Sequence, residues 1–178
     1  MADGYVATTV ETIATDAGVS AKTVYDAFAT KAGVLRAAWD LALKGDTSAA
    51  PIAARPWYLA VLDEPDPRQA IVLVAHNSVV VKQRIGAILR VIRDAAAVDE
   101  DGRALWTLIN SDFHANQRVI VDSLAKRKAL RPGLTAAKAT DILWTLNHPD
   151  VWLLLHDRGW SAKAFEEWLI EGLLSLIN

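Results

Sequence analysis

Glu11-Thr-Ile-Ala-Thr-Asp-Ala-Gly18-Val-Ser20-Ala-Lys-Thr-Val-Tyr-Asp-Ala-Phe28-Ala-Thr-Lys31 is the stretch whose reading decides the fold. Thr9 stands before it as an N-cap, and Ile13, Ala14 and Ala17 share one face of a helix predicted over residues 10–17. Gly18 supplies the left-handed residue that ends this helix. Val19 is expected to plug the corner, and Ser20 caps a second helix reaching Phe28. Val24, Ala27 and Phe28 should face back toward the first helix. Small residues at 14, 17 and 27 let two short helices cross closely, as a helix-turn-helix requires. The outward face then presents Ala21, Lys22, Tyr25 and Asp26, with Thr23 at its N-terminal end. A recognition helix reaches base edges with its N-terminal residues, while hydroxyls and amines touch flanking phosphates.

Outward from this segment the pattern stays helical. A third helix is predicted over residues 32–43, stopping at Gly45. Four prolines between residues 47 and 67 mark a connection with one short helix near 56–62. Ile85, Ile88, Leu89 and Ile92 then follow helical spacing, with Lys82, Arg90, Arg93 and Asp94 at other positions of that helix. A turn is expected at residues 99–102, followed by a long helix carrying Leu105, Trp106, Ile109, Phe113, Ile120 and Leu124. Further helices are expected from Thr135 to Asn147, from Pro149 to Leu155, and from Ser161 to about Ile177. No strand alternation, repeat or low-complexity tract interrupts them. The expected class is all-α: a helix-turn-helix head over 1–45, and a helical effector-binding and dimerisation domain over 46–178.

The segment from Thr8 to Phe28, followed by Lys31 and Leu35, resembles the signature of the TetR family of transcriptional regulators. The resemblance is close over residues 4–44 and beyond that follows helix order, with Leu143-Trp-Thr-Leu and Arg158-Gly-Trp similar to segments of some members. It implies DNA contacts at Thr9, Ser20, Lys22, Thr23, Tyr25 and Lys31. Tyr25 and Lys31 would touch phosphate, and Lys22 and Thr23 would lie nearest the bases. It also implies a homodimer that holds double-stranded operator DNA and releases it when a small-molecule effector binds. Members carry a basic arm and a complete helix before a Gly-Tyr pair, which here is Gly4-Tyr5. Most of that helix is therefore expected to be missing, and Ile13, Val24 and Phe28 should be more exposed than core residues, or covered by another chain or by residues 1–6 folding back.

Charge does not reinforce this reading. The 178 residues carry a net charge of −2. Within the first 45, Lys22, Lys31, Arg36 and Lys44 are outnumbered by Asp3, Glu11, Asp16, Asp26 and Asp40. A DNA-binding head usually has a basic surface, and a protein of the same architecture that no longer binds DNA is the alternative.

The last helix carries the argument for a dimer. Phe165, Trp168, Leu169, Gly172, Leu173 and Leu176 form one broad apolar face, and Ile170, Leu174 and Ile177 a second stripe beside it. A helix apolar over so much of its circumference is buried on two sides. Trp168, Ile170, Leu174 and Ile177 are the expected dimer contacts, and the resemblance places the interface on the same helix and the one beginning near Thr135. The middle helices offer a ligand site of mostly apolar lining with a few polar groups: Trp57, Asn77, Arg84, Trp106, Phe113 and Trp144. Other polar groups scattered among them are His76, His114, Asn116 and Asn147.

Several chemistries have no support in the sequence. No cysteine is present, and His76, His114, His148 and His156 show no zinc-ligand spacing, so no metal is expected. No phosphate-binding glycine loop or nucleophile elbow occurs, so neither an enzyme nor a cofactor is expected. The N-terminus does not read as a signal peptide. The longest apolar stretches, residues 70–75, 79–81 and 151–155, are short, so no membrane partner and a cytoplasmic location are expected.

Overall fold

The computed structural model describes residues 4–178, and among these it is helical with no named strand. The helices are α1 (Gly4–Ala7), α2 (Val10–Asp16), α3 (Ala21–Phe28), α4 (Lys31–Lys44), α5 (Pro56–Asp63), α6 (Pro67–Val98), α7 (Glu100–Lys126), α8 (Ala136–Leu146), α9 (Pro149–Asp157) and α10 (Ala162–Leu174), with a 3-10 turn at Ile52–Ala54. The chain divides into two compact units, residues 1–47 with 84–110, and residues 48–83 with 111–178. The unit holding the head thus extends past residue 45 to take in the second half of α6 and the start of α7.

Side-chain caps set the helix starts. Thr9, Ser20, Thr30, Thr135 and Ser161 each accept from the backbone N–H three residues on, satisfying donors that a helix start leaves unpaired. Gly18, at φ +67, makes the turn between α2 and α3 in the left-handed region that side chains avoid.

In the first unit, Val10, Ala14 and Val24 form the small core between α2 and α3, with Ala21 and Val34 against it. Tyr5, Leu35 and Trp39 are also buried, as are Ile85, Leu89, Ile92 and Ala95 of α6 and Leu105 and Ile109 of α7. Tyr5 donates its hydroxyl to Asp99 Oδ2 at 2.5 Å. Burial, aided by that acceptor, pushes the Tyr5 hydroxyl well above its usual range, while the same bond holds the Asp99 carboxyl below its own. Lys31 Nζ donates to Tyr5 O and Thr8 O at 2.9 and 3.0 Å and lies 3.9 Å from the centroid of the Tyr5 ring. A cation on the last carbonyls of α1 is the favoured sign there.

In the second unit, α10 packs on α8 and α9, and its buried face is Phe165, Leu169 and Leu173. They join a core with Tyr58, Ile71, Val74, Val79, Val121, Leu124, Leu143 and Trp152. The final helix ends at Leu174 rather than continuing to Ile177. Arg131 N–H donates to Leu176 O at 2.9 Å and Asn178 N–H to Ala129 O at 3.1 Å, so the terminus is extended and pairs with the segment after α7. Ile177 is consequently buried in its own core and not on a partner-facing stripe, which corrects its place among the dimer contacts.

Helix α6 is long and apolar enough to cross a membrane by length and composition, although no single apolar stretch within it suggested so. Its residues Ala70, Ile71, Val74, Ala75, Val79, Ile85, Leu89 and Ile92 are instead buried within the protein.

The turn expected at residues 99–102 contracts to Asp99, and α7 starts at Glu100. Gly102 therefore lies inside α7, where a Cβ would fall 2.6 Å from the backbone carbon of Ala95. Close approach, and not a turn, is what requires this glycine. Glycine to alanine inside a helix ordinarily stabilises by about 0.5–1 kcal/mol. Gly102→Ala is expected to invert the sign and cost about 1–3 kcal/mol by overpacking. Urea unfolding with an unchanged or raised midpoint would show that the two helices have room to part.

Candidate nucleic-acid interface and ligand cluster

The residues expected to face DNA begin at the α2–α3 turn. Ser20 Oγ accepts from Thr23 N–H at 3.1 Å and lies 2.8 Å from Thr23 Oγ1, so both hydroxyls sit at the start of α3. Lys22 and Thr23 are exposed, and Tyr25 is 47% exposed. The Lys22 ammonium pairs with Asp26 across one turn at 2.5 Å. Such an exposed pair contributes little stability, and phosphate can displace the carboxylate, but it lowers the outward positive charge. Thr9 is exposed at the start of α2, where its hydroxyl caps Thr12 N–H. Together these residues offer exposed hydroxyls and one amine at the starts of α2 and α3.

Lys31 differs from expectation. Its amine is already donated to Tyr5 O and Thr8 O, so in this arrangement it supports α1 and does not reach outward to phosphate. Arg36 likewise pairs with Asp40 at 3.0 Å.

The packing of the two helices also departs from the sequence reading. Of the small residues expected at the crossing only Ala14 is buried, while Ala17 and Ala27 are exposed. Val19 is 44% exposed and does not plug the corner, and Phe28 is 40% exposed. Val24 is buried against Val10 and Ala14, so it has its cover, while Ile13 is intermediate and borders a void of about 30 Å³. Tyr5 is buried beside the same void; Met1, Ala2 and Asp3, part of the segment expected to fold back, lie outside the described residues.

The six expected ligand contacts are divided between the two units. Arg84 and Trp106 belong to the first unit, and Trp57, Asn77, Phe113 and Trp144 to the second. Arg84 donates to Leu43 O at 3.1 Å, and the Arg93 guanidinium lies 4.8 Å from the Trp106 ring. In the second unit Asn77 donates to Trp57 O at 2.9 Å. Phe113 and Trp144 both set their rings edge-on to His148, at 6.2 and 4.8 Å between centroids.

At that cluster lies a group the sequence reading misplaced. Lys82 is only 4% exposed, and it donates to Asn147 Oδ1. Asn147 Nδ2 donates to the buried Gln117 Oε1 at 3.3 Å. Lys82 is three residues from both Val79 and Ile85, which are buried, so the helical period does place it on the buried face. Weighing its charge over its register put it elsewhere.

Burial pushes the Lys82 amine down from 10.5 to about 7. Between those values the unfolded chain holds a proton that the folded chain lacks, so this group makes stability rise with pH across that window. Lys82→Met is expected to raise Tm at pH 7 and to flatten the profile from pH 7 to 10. Parallel wild-type and variant profiles over that range would show that the amine is not held in this way.

Comparison with known proteins bears on the head alone. Residues 1–38 match the family model described as bacterial regulatory proteins, tetR family. No curated protein and no solved structure matches the chain. The N-terminal head, with its glycine turn and capped, outward-facing α3, is thus similar to the DNA-binding head of the tetR-family bacterial regulatory proteins.

Proposed function

We propose that the chain is a cytoplasmic homodimeric repressor that holds a double-stranded operator through the start of α3 and releases it when a small molecule enters the second unit. The observation that carries this reading is the exposed Ser20, Lys22, Thr23 and Tyr25 edge on a head that matches the family model. Thr9 adds a hydroxyl at the neighbouring helix start. Lys22 and Thr23 read bases, and Tyr25 and Ser20 position the backbone. Trp168, Ile170 and Leu174, half-buried beside the α10 core face, meet the same residues of a second copy. The ligand enters by Phe113 and Trp144, with Trp57 and Asn77 in the same unit.

The reading is tested by selecting from random duplex DNA with the purified chain. An inverted repeat is expected, with half-sites about one helical turn apart, roughly 34–36 Å. Lys22→Ala and Thr23→Ala should each lose about tenfold in affinity for the selected site. Because few cations face outward, log K should fall shallowly with log salt, with a slope of about −2 to −4. The net acidic balance of the head favours the second reading, a ligand-binding dimer without DNA affinity. A selection that enriches no sequence would decide for it.

The dimer has its own test. Leu174→Glu places a charge on the proposed interface and is expected to convert a dimer to a monomer in sedimentation at micromolar concentration, with operator binding lost. A Leu174→Glu chain that sediments as a dimer removes α10 from the interface.

A further inference from the structure

The second unit buries an amine that, among the described residues, has no anionic partner. Lys82 is buried, and its one hydrogen bond goes to the neutral Asn147 side chain. Gln117 of α7 bonds Asn147, and the Phe165 ring of α10 lies 5.6 Å from the Lys82 amine, while the two carboxylates of the wider cluster are taken by histidines, Asp141 by His114 at 3.1 Å and Asp150 by His148 at 3.7 Å. Among the described residues no carboxylate makes an ion pair with it. A charge taken from water without a partner costs far more than an apolar side chain of the same length.

A second donor nearby has the same deficit. Trp144 lies one helical turn before Asn147, and its indole Nε1–H is buried without an acceptor. Buried polar groups are nearly always hydrogen-bonded, and an orphan needs an explanation. At both groups the missing partner is an acceptor, and at Lys82 the missing partner is negative. The rings of Phe113, His114 and His148 neighbour Trp144 and one another, and Phe113, His114 and Trp144 are each partly exposed.

We infer that Lys82, Asn147 and Trp144 form the receptor for the acid group of an organic anion whose apolar body lies among Phe113, Trp144 and His148. The Lys82 ammonium and the Trp144 indole donate to the carboxylate oxygens, while Asn147 stays anchored on Gln117 and keeps the ammonium in place. Hydrogen bonds to a charged group in a site of this kind are the strong ones. The anion also restores the charged form of an amine that burial alone disfavours. This names the effector class of the repressor reading and rests on that reading only for the consequence of binding.

Calorimetric titration of the full chain with matched pairs tests it: naphthoic, phenylacetic and octanoic acids, each against its own primary amide. At least one acid is expected to bind at least about tenfold more tightly than its amide. Lys82→Met, which removes a buried charge and keeps chain length, should erase that margin while leaving amide binding as it was. Trp144→Phe should weaken the acid and spare the amide. Acids and amides binding alike, no acid binding below millimolar concentration, or a preference retained in Lys82→Met would each overturn the inference. The wild-type comparison decides even if the variant fails to fold. Operator selection run beside it separates the two ideas: DNA binding without acid preference defeats the effector class alone, and acid preference without DNA binding defeats the repressor alone.

Discussion

Helices of seven and eight residues do not persist in water by themselves, since the cost of nucleation is spread over too few hydrogen bonds. The edge proposed to face DNA therefore exists only while α2 and α3 stay packed, and the contact that keeps them so is small: Val10 and Ala14 against Val24. Ala21 and Val34 pack against it, and α1 is tied down separately by polar contacts. Tyr5, buried and hydrogen-bonded to Asp99, is held in turn by the Lys31 amine on its ring and its carbonyl. A residue type that sequence reading assigns to phosphate thus serves the integrity of the head. Ser20 and Thr23 inherit their positions from this packing, because each hydroxyl is fixed to the first turn of α3.

This division explains what was legible. Features with a local cause could be read directly: the caps at Thr9, Ser20, Thr135 and Ser161, the left-handed Gly18, and the helical period of α6 and α10. The fold class follows from these. Features fixed by distant parts of the chain could not. Val19 and Phe28 are apolar and lie where a helix-turn-helix buries such residues, but burial depends on what covers them. Lys31 has no signature that tells a capping amine from a phosphate ligand, because its acceptors are backbone carbonyls 23 and 26 residues away. Ile177 continues the α10 stripe on paper, yet the chain leaves the helix to pair with residues 129–131.

Lys82 is a different kind of miss. Its spacing from Val79 and Ile85 places it on the buried face, so periodicity and charge disagreed at one residue. Where two levels of inference conflict, function is a common cause, since a fold optimised only for stability would remove the conflict. Gly102 shows the contrasting case. There a turn residue and a close-contact residue are the same amino acid, and only the 2.6 Å approach to Ala95 tells them apart.

Charge placement joins the two halves of the argument. Three of the four cations of the head are turned inward or paired with neighbouring aspartates: Lys31 with carbonyls, Lys22 with Asp26, Arg36 with Asp40. The sequence-independent part of DNA affinity scales with phosphates neutralised, so a head of this kind binds non-specific DNA weakly. In the proposed repressor more of the affinity must then come from base contacts by two heads acting together. A dimer that depends on both heads loses its site when either one leaves register, so a modest differential binding energy suffices for release. One charge-assisted contact to a buried ammonium is on that scale, about 1.5–3 kcal/mol. In the proposed repressor a buried amine bonded only to a neutral amide in the second unit and cations kept paired in the first are complementary: the one would strengthen the response to an anion, and the other would keep small the DNA affinity that the response must overcome.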